Sequence, residues 1–266
     1  MTRTGASPID AAAPALDCIE RGDCLTVLAG RPAGFADLAY LDPPFNTGRP
    51  RTAEAGTFDD QWTDADAYLA HMRPRIEAVI RALRPHGAIL LHCDWRTSHH
   101  FRLLLDDLLG PELFINHLIW SYGLGGSSPR RFARKHDDIL YYARGSDYYF
   151  DPPQVPATSA RMRGRMKKST DVIDIPSINN MAAERVGYPN QKPLALLALL
   201  VNACCPPGGV VLDPCCGSGT TLVAAAQSGR RFVGIDSSEA AVTLAQRRLE
   251  EAAACPVAER SGRRRR

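Results

Sequence analysis

The sequence predicts an α/β fold with a doubly wound, mostly parallel sheet. Two observations carry this. Short, nearly continuous apolar runs, such as "FADLAYL", "AILLHC", "GGVVLD" and "RRFVGID", have the length and composition of strands buried on both faces. Stretches of helical period alternate with them, which is the order a parallel sheet with crossover helices requires.

The elements follow in chain order. Residues 1–17, rich in Ala, Ser and Pro, predict a flexible tail. "DCIERGDCLTVLAG" predicts a short strand and helix, and "FADLAYLDPP" a buried strand that stops at Pro43, since proline cannot donate to a ladder. The polar stretch at 46–62 predicts a loop too long to be a simple turn. "DADAYLAHMRPRIEAVIRALRPHG" predicts a helix opened by Asp64 or Asp66 and closed by Gly87. "AILLHCDW" predicts a strand, "SHHFRLLLDDLLG" a helix and "FINHLIWSYG" a strand. Between 121 and 187 the pattern degrades, with "ILYYARG" and "DYYF" as short strand candidates. Regularity returns with the helix "QKPLALLALLVNACC", the strand "GGVVLDPCC", the helix "GTTLVAAAQSG", the strand "RRFVGID" and the helix "SEAAVTLAQRRLEEAAA". These boundaries divide the chain into a catalytic half at 18–120, an insertion at 121–187, a ligand-binding half at 188–254 and a basic tail at 255–266.

Composition narrows the class. The 266 residues suffice for one large α/β domain, and 45% apolar with 23% charged residues is ordinary for a globular chain. A net charge of +3 is too small for a polycation. The eight cysteines show no CxxC spacing, and "MTRTGASPIDAAAPALD" lacks the apolar core of a signal peptide. A reducing cytoplasm and no disulfide framework are expected. The longest apolar run, "LALLALLVNACC", is too short to span a membrane. "LHCDWRTSHH" tempts a metal reading at His92, His99 and His100, but strand-end packing and a helix start account for it; no metal is expected.

Two stretches carry chemistry. In "VVLDPCCGSGTTLVAAAQSGRRFVGID" a strand ends at Asp213, a Gly-Ser-Gly turn follows, and the next strand ends at Asp236. Gly217 and Gly219 let backbone approach a ligand closely, and an acid at the next strand tip can accept both hydroxyls of a ribose. The third glycine of a dinucleotide loop is replaced by Leu222, and no Gly-Lys-Ser/Thr follows, so an adenosine without pyrophosphate is expected. S-adenosylmethionine fits. The second stretch is "DPPF", Asp42-Pro43-Pro44-Phe45. The exocyclic amine of a base is a poor nucleophile because its lone pair is delocalised into the ring. Asp42 can accept one N–H; the Pro43 carbonyl, whose orientation Pro44 restricts, can accept the other; Phe45 can stack on the ring. The base must first leave its helix.

On these motifs the chain resembles the amino-methyltransferases of DNA, which make N6-methyladenine or N4-methylcytosine. "DPPF" is similar to their catalytic motif and "LDPCCGSGTT" to their cofactor motif. The catalytic motif comes first here, as in the beta class, whose sheet is a circular permutation of the usual one. The resemblance covers about residues 18–250 and implies a circularly permuted, Rossmann-like, S-adenosylmethionine-dependent sheet with an inserted target-recognition region. It implies cofactor contacts from Asp23 in "RGDC", from Asn190, Gln191 and Lys192 in "YPNQKP", and from Asp213, Cys215, Gly217, Ser218, Gly219, Thr220 and Asp236. Cys215 stands where the family usually has an aromatic residue, which removes a ring from the adenine pocket, and Asn190 stands where it usually has Thr.

The span 121–187 carries two basic clusters, Arg130, Arg131, Arg134 and Lys135, and Arg161, Arg163, Arg165, Lys167 and Lys168. Such residues neutralise phosphates or reach base edges, so double-stranded DNA is the expected partner. An Asp-first motif more often accompanies adenine in the resembled family, so N6-adenine is expected, with N4-cytosine as the alternative. RNA and protein-glutamine methyltransferases use a related motif, usually Asn-first and after the cofactor motif, which this order disfavours. A homodimer and a cognate restriction endonuclease are further partners that the resemblance suggests.

Overall fold

The computed structural model describes residues 14–48, 51–53, 56–58, 60–123, 127–157, 159–179 and 181–254. The elements are β1 (Cys18–Arg21), α1 (Cys24–Ala29), β2 (Ala36–Leu41), β3 (Arg51–Ala53), β4 (Gly56–Phe58), α2 (Ala65–Ala82), β5 (Leu83–Cys93), α3 (Ser98–Leu109), β6 (Phe114–Ser121), β7 (His136–Ala143), β8 (Gln154–Pro156), β9 (Met166–Lys168), β10 (Val172–Asp174), α4 (Leu194–Cys204), β11 (Val210–Asp213), α5 (Thr220–Gln227), β12 (Arg231–Asp236) and α6 (Glu239–Ala254). Eight strands form one sheet in the order β1-β12-β11-β2-β5-β7-β6-β10. All its neighbours pair parallel except β7, which is antiparallel to both β5 and β6.

The strand order shows how the halves combine. The last strand in sequence, β12, pairs with the first, β1, and β11 pairs with β2 through Val211–Leu38 and Leu212–Ala39. This interleaving brings the C-terminal ends of β2 and β11, Leu41 and Asp213, side by side in the middle of the sheet, although they lie far apart in the chain. Side chains alternate along β2, with Leu38 and Tyr40 facing one core cluster and Ala39 and Leu41 the other. One cluster packs against Leu28 of α1, Tyr68, Met72, Ile76 and Val79 of α2, and Phe101 and Leu105 of α3. The other packs against Leu196, Leu197 and Leu200 of α4, Leu222 and Ala224 of α5, and Leu249 of α6. The sheet is therefore doubly wound, as the alternation predicts.

Three local expectations change. The helix expected through Gly87 ends at Ala82, and Leu83 is already extended and paired with Ala36. Pro85 drives Arg84 out of helical geometry, so the strand begins early. "DYYF" forms no strand; Tyr148 and Phe150 instead lay their rings against Tyr141, at 6.2 and 6.4 Å. The span 121–187 is woven into the sheet, since β7 and β10 both come from it. Outside the sheet lie, among others, the loop before β7 and the β8–β9 hairpin. Asp17, at the end of the expected tail, is tied to β12: its N–H donates to the Phe232 carbonyl at 2.7 Å. The rest of that tail up to residue 13, and the basic tail at 255–266, lie outside the described residues. Among the described residues no helix is long and apolar enough to cross a membrane.

Candidate active site

A cleft with three chambers runs along the strand tips. A cavity of about 760 Å³ is lined by Asp23, Cys24, Trp62, Arg75, Cys215 and Asp236 among others. A neck of about 100 Å³ follows, bounded by Asp42, Pro43, Pro44 and Phe45 on one side and by Tyr188, Lys192 and the turn 215–221 on the other. Beyond it a cavity of about 450 Å³ is lined by Phe45, Trp95, Trp120, Tyr122, Asp137 and Lys192. Pro43, Pro44, Tyr188 and Cys215 border the first cavity and the neck, while Phe45, Asn190, Gln191 and Lys192 border the neck and the last cavity. The catalytic and cofactor motifs of the sequence thus face each other across one passage.

The proline-rich side is braced from several directions. Tyr68 of α2 donates its hydroxyl to the Pro44 carbonyl at 2.5 Å. Asn46, in the left-handed region at φ 53°, accepts the Trp62 N–H at 3.0 Å and fixes the exit from the motif. Phe45 rests on His92, ring centroids 5.8 Å apart. His92 is fully buried and held from both ends: its Nδ1 lies 2.6 Å from the Tyr40 hydroxyl and its Nε2 3.3 Å from the Asp137 carboxylate. Lys192 places its ammonium 2.5 Å from Asp42 and 5.2 Å from the centre of the Phe45 ring.

The glycine-rich side is built differently. Gly217 and Gly219 have φ of 49° and 74°. A Cβ on Gly219 would stand 2.6 Å from Cβ of Ala245, and one on Gly217 2.8 Å from the Tyr188 ring, so both positions need glycine. The Gly217 N–H donates to Asp236 at 2.8 Å and the Cys215 N–H to Asp213 at 3.2 Å. Arg248 of α6, buried in this turn, donates to the Ser218 carbonyl at 2.6 Å and to the Thr220 hydroxyl at 2.9 Å.

The electrostatics of the cleft favour a cation. Burial pushes the Asp213 carboxyl up to about 7, against hydrogen bonds from Thr221 and the Cys215 N–H, and the nearby Asp42 and Asp236 add to the rise. Burial also raises Asp236, outweighing the N–H groups of Ser238 and Gly217. At Asp23 burial pushes upward too, but the Arg75 guanidinium at 2.5 Å outweighs it and holds the carboxyl below its usual range. A ligand with a sulfonium and an ammonium relieves the crowding of Asp42, Asp213 and Asp236. The residues present therefore fit S-adenosylmethionine, and Asp236 lines the largest of the three chambers.

The sequence-selected residues do not all face the cleft in the same way. Asp23 caps α1 by accepting the Leu25 N–H at 3.0 Å and also lines the large cavity. In "YPNQKP", Asn190 is left-handed at φ 56°, and Gln191 spends its amide on the Val186 N–H and the Glu184 carbonyl, at 2.9 and 2.7 Å. Lys192 turns inward to Asp42. Of the basic residues, Arg131 and Arg134 border the 450 Å³ cavity. Arg130 is exposed nearby, and Lys135 donates to the Gly123 carbonyl at 2.8 Å. Arg161, Arg163, Arg165 and Lys168 are exposed and Lys167 half-buried in and beside the β8–β9 hairpin. Trp62, Tyr68, Arg75, His92 and Arg248 were not singled out as site residues by motif. Their only signal was residue type, such as a lone tryptophan in a polar loop, and Arg248 in "AQRRLEE" looks like any solvent-facing arginine.

Known proteins match this chain over most of its length. The family model of DNA methylases of the N6/N4 type matches residues 36–247. The chain belongs to the N6-adenine/N4-cytosine DNA methyltransferases. It is 30% identical to the Type II methyltransferase M.ScaI of Streptomyces caespitosus, over 86% of this chain and 80% of that protein. It is 29% identical to the Type II methyltransferase M.HpaI of Haemophilus parainfluenzae, over 80% of this chain and 68% of that one. The fold matches that of the M1.HpyAVI–SAM complex with a TM-score of 0.62 at 20% identity, covering 87% and 98% of the two chains. It also matches the cytosine-N4-specific PvuII DNA methyltransferase with a TM-score of 0.64 at 15% identity, covering 89% of each. The methyl donor of this DNA methyltransferase is S-adenosylmethionine, and its sheet is the permuted, beta-class one. Cys215 leaves the first cavity with the aromatic side chains of Trp62 and Tyr188 among its walls.

Proposed function

We propose that this DNA methyltransferase acts site-specifically on duplex DNA and methylates the N6 amine of an adenine flipped out of the helix. The passage from the Asp23–Asp236 cavity through the Asp42–Phe45 neck to the Trp120–Asp137 cavity carries this reading. It provides separate chambers for an adenosine-bearing donor and a flat base, meeting at the acceptor that an exocyclic amine requires.

Bound S-adenosylmethionine supplies an electrophilic methyl on sulfur. Asp236, Asp23 and the 213–220 turn would hold it. Asp42 accepts one N–H of the amine and the Pro43 carbonyl the other, which localises the nitrogen lone pair. Phe45, backed by His92, stacks on the base. The ammonium of Lys192 must yield or shift when the amine reaches Asp42, so it orients the carboxylate beforehand. The amine nitrogen bonds the methyl as the sulfur–carbon bond breaks, the electron pair stays on the resulting neutral thioether, and the surplus amine proton passes to solvent. The Asp-first motif supports adenine over cytosine. The Type II relatives support a companion restriction endonuclease that reads the same sequence.

The test is nucleoside mass spectrometry of unmethylated DNA incubated with the protein and methyl-labelled S-adenosylmethionine, with Asp42→Ala alongside. Label in N6-methyladenine, lost in the variant, is expected. Label in N4-methylcytosine overturns the base assignment and keeps the mechanism. Donor binding without labelling of any DNA overturns the DNA reading.

A further inference from the structure

One side chain in the basic loop before β7 has no part in the site so far. Phe132 is 98% exposed, more than any other large apolar side chain on the described surface. A single exposed apolar residue is ordinary in itself, so its neighbours must carry the argument. Phe132 lies between Arg131 and Arg134, and both of those border the cavity that also holds Phe45 and Lys192. The Arg134 guanidinium sits 3.3 Å from the centre of the half-exposed Trp95 ring, and that of Arg96 is 4.9 Å from the same ring. Trp95 thus anchors the loop to the lip of the cavity. Loss of hydration, followed by the charges of Arg131 and Arg96, lowers Arg134 from its usual value, with Asp94 opposing. Crowded cations around an outward phenyl ring, at the mouth of a cavity large enough for a base, suit an anionic backbone with an opened base stack.

We propose that Phe132 is a wedge that enters the base stack as the target nucleotide leaves it, while Arg131 and Arg134 hold the flanking phosphates. This rests on the reading of duplex DNA as substrate. Flipping one base leaves a gap in the stack, and an inserted apolar side chain replaces part of the lost stacking. Lys in place of Phe would add to the local positive charge and Glu would oppose it, but neither could fill that gap.

The test uses the methylated position once it has been mapped by sequencing for the modified base. Two duplexes carry that site, one fully paired and one with the target base opposite an abasic position, where leaving the stack is easier. Phe132→Ala is expected to lower kcat/KM on the paired duplex by about tenfold or more and to come within about threefold of the parent on the abasic duplex. Phe132→Trp is expected to stay near the parent on both. Since the ring touches solvent, both variants are expected to keep the parent's melting temperature and donor affinity. Equal activity of Phe132→Ala and parent on paired DNA overturns the wedge, and so does an equal loss on both duplexes, which marks a plain contact. A parent enzyme that binds the donor but methylates neither duplex, nor genomic DNA, removes the substrate reading and the wedge with it.

Discussion

Two neighbouring strand tips of this protein solve opposite problems with opposite residues. β2 ends in Asp42-Pro43-Pro44-Phe45 and β11 in Asp213-Pro214 followed by Gly217-Ser218-Gly219, and the two strands are paired in the sheet. The first tip is stiffened by proline and braced by Tyr68 and His92, which suits the proposed role of presenting acceptors and a ring in fixed directions. The second is freed by glycine, because its backbone must turn tightly under Tyr188 and Ala245 while pointing N–H groups at carboxylates. Their acids differ accordingly. Asp42 has an ammonium partner and lines the neck, whereas Asp213 is buried, its carboxyl raised to about 7, and it holds the turn. A similar motif grammar, an acid at a strand end, thus places a cleft-lining acid, the acceptor of the proposed reaction, at one tip and a structural staple at the other.

The largest expected effect separates these roles. Asp42→Ala should lower methyl transfer by roughly 10³-fold, a loss comparable to that of other preorganised polar groups in active sites. Donor affinity by calorimetry should stay within a few-fold. Equal losses in both would erase the division between the tips.

Gly219→Val should act through the fold. The new side chain meets Ala245 at a positive φ, so destabilisation of about 2–4 kcal/mol is expected, read as a lower urea midpoint, with donor binding lost as well.

Lys192→Met sharpens the boundary, because the resemblance assigns this lysine to the donor while the structure sets it against Asp42. A fall in kcat of roughly 10- to 100-fold with donor Kd nearly unchanged is expected for a residue that orients the acceptor. A shift mainly in Kd would move it to the donor's side.

The buried acid of the second tip is read through pH. Asp213 keeps its proton up to about pH 7 in the folded chain but releases it near the ordinary aspartate value of 3.8 when unfolded. Between those values the folded state binds more protons, so this group's contribution to stability falls as pH rises, by up to about 1.4 kcal/mol per pH unit, and levels off above 7. Asp213→Asn should flatten that part of the profile in urea unfolding at pH 5, 6, 7 and 8. An unchanged slope would show that other groups set it.

Much of this was legible in the chain. Strand continuity and helix period disclosed the alternation because a buried strand and an amphipathic helix leave local marks of period and length. The Asp-Pro-Pro-Phe and Gly-Ser-Gly stretches disclosed themselves because proline and glycine fix backbone geometry without help from distant residues. The early start of β5 is marked locally by Pro85, against a helix period that runs past it. The failure of "DYYF" as a strand was not written locally, because its rings are held by Tyr141 on β7.

By itself the sequence determined which short segments carry the acceptors, the stacking ring and the tight turn, since those are properties of residue type and immediate neighbours. The tertiary structure alone decided what stands behind and between them: Lys192 against Asp42, Arg248 under the glycine turn, and His92, held by Tyr40 and Asp137, beneath Phe45. Each of these partners comes from a separate element. Their meeting depends on the order of strands in the sheet, which no local pattern of residues encodes.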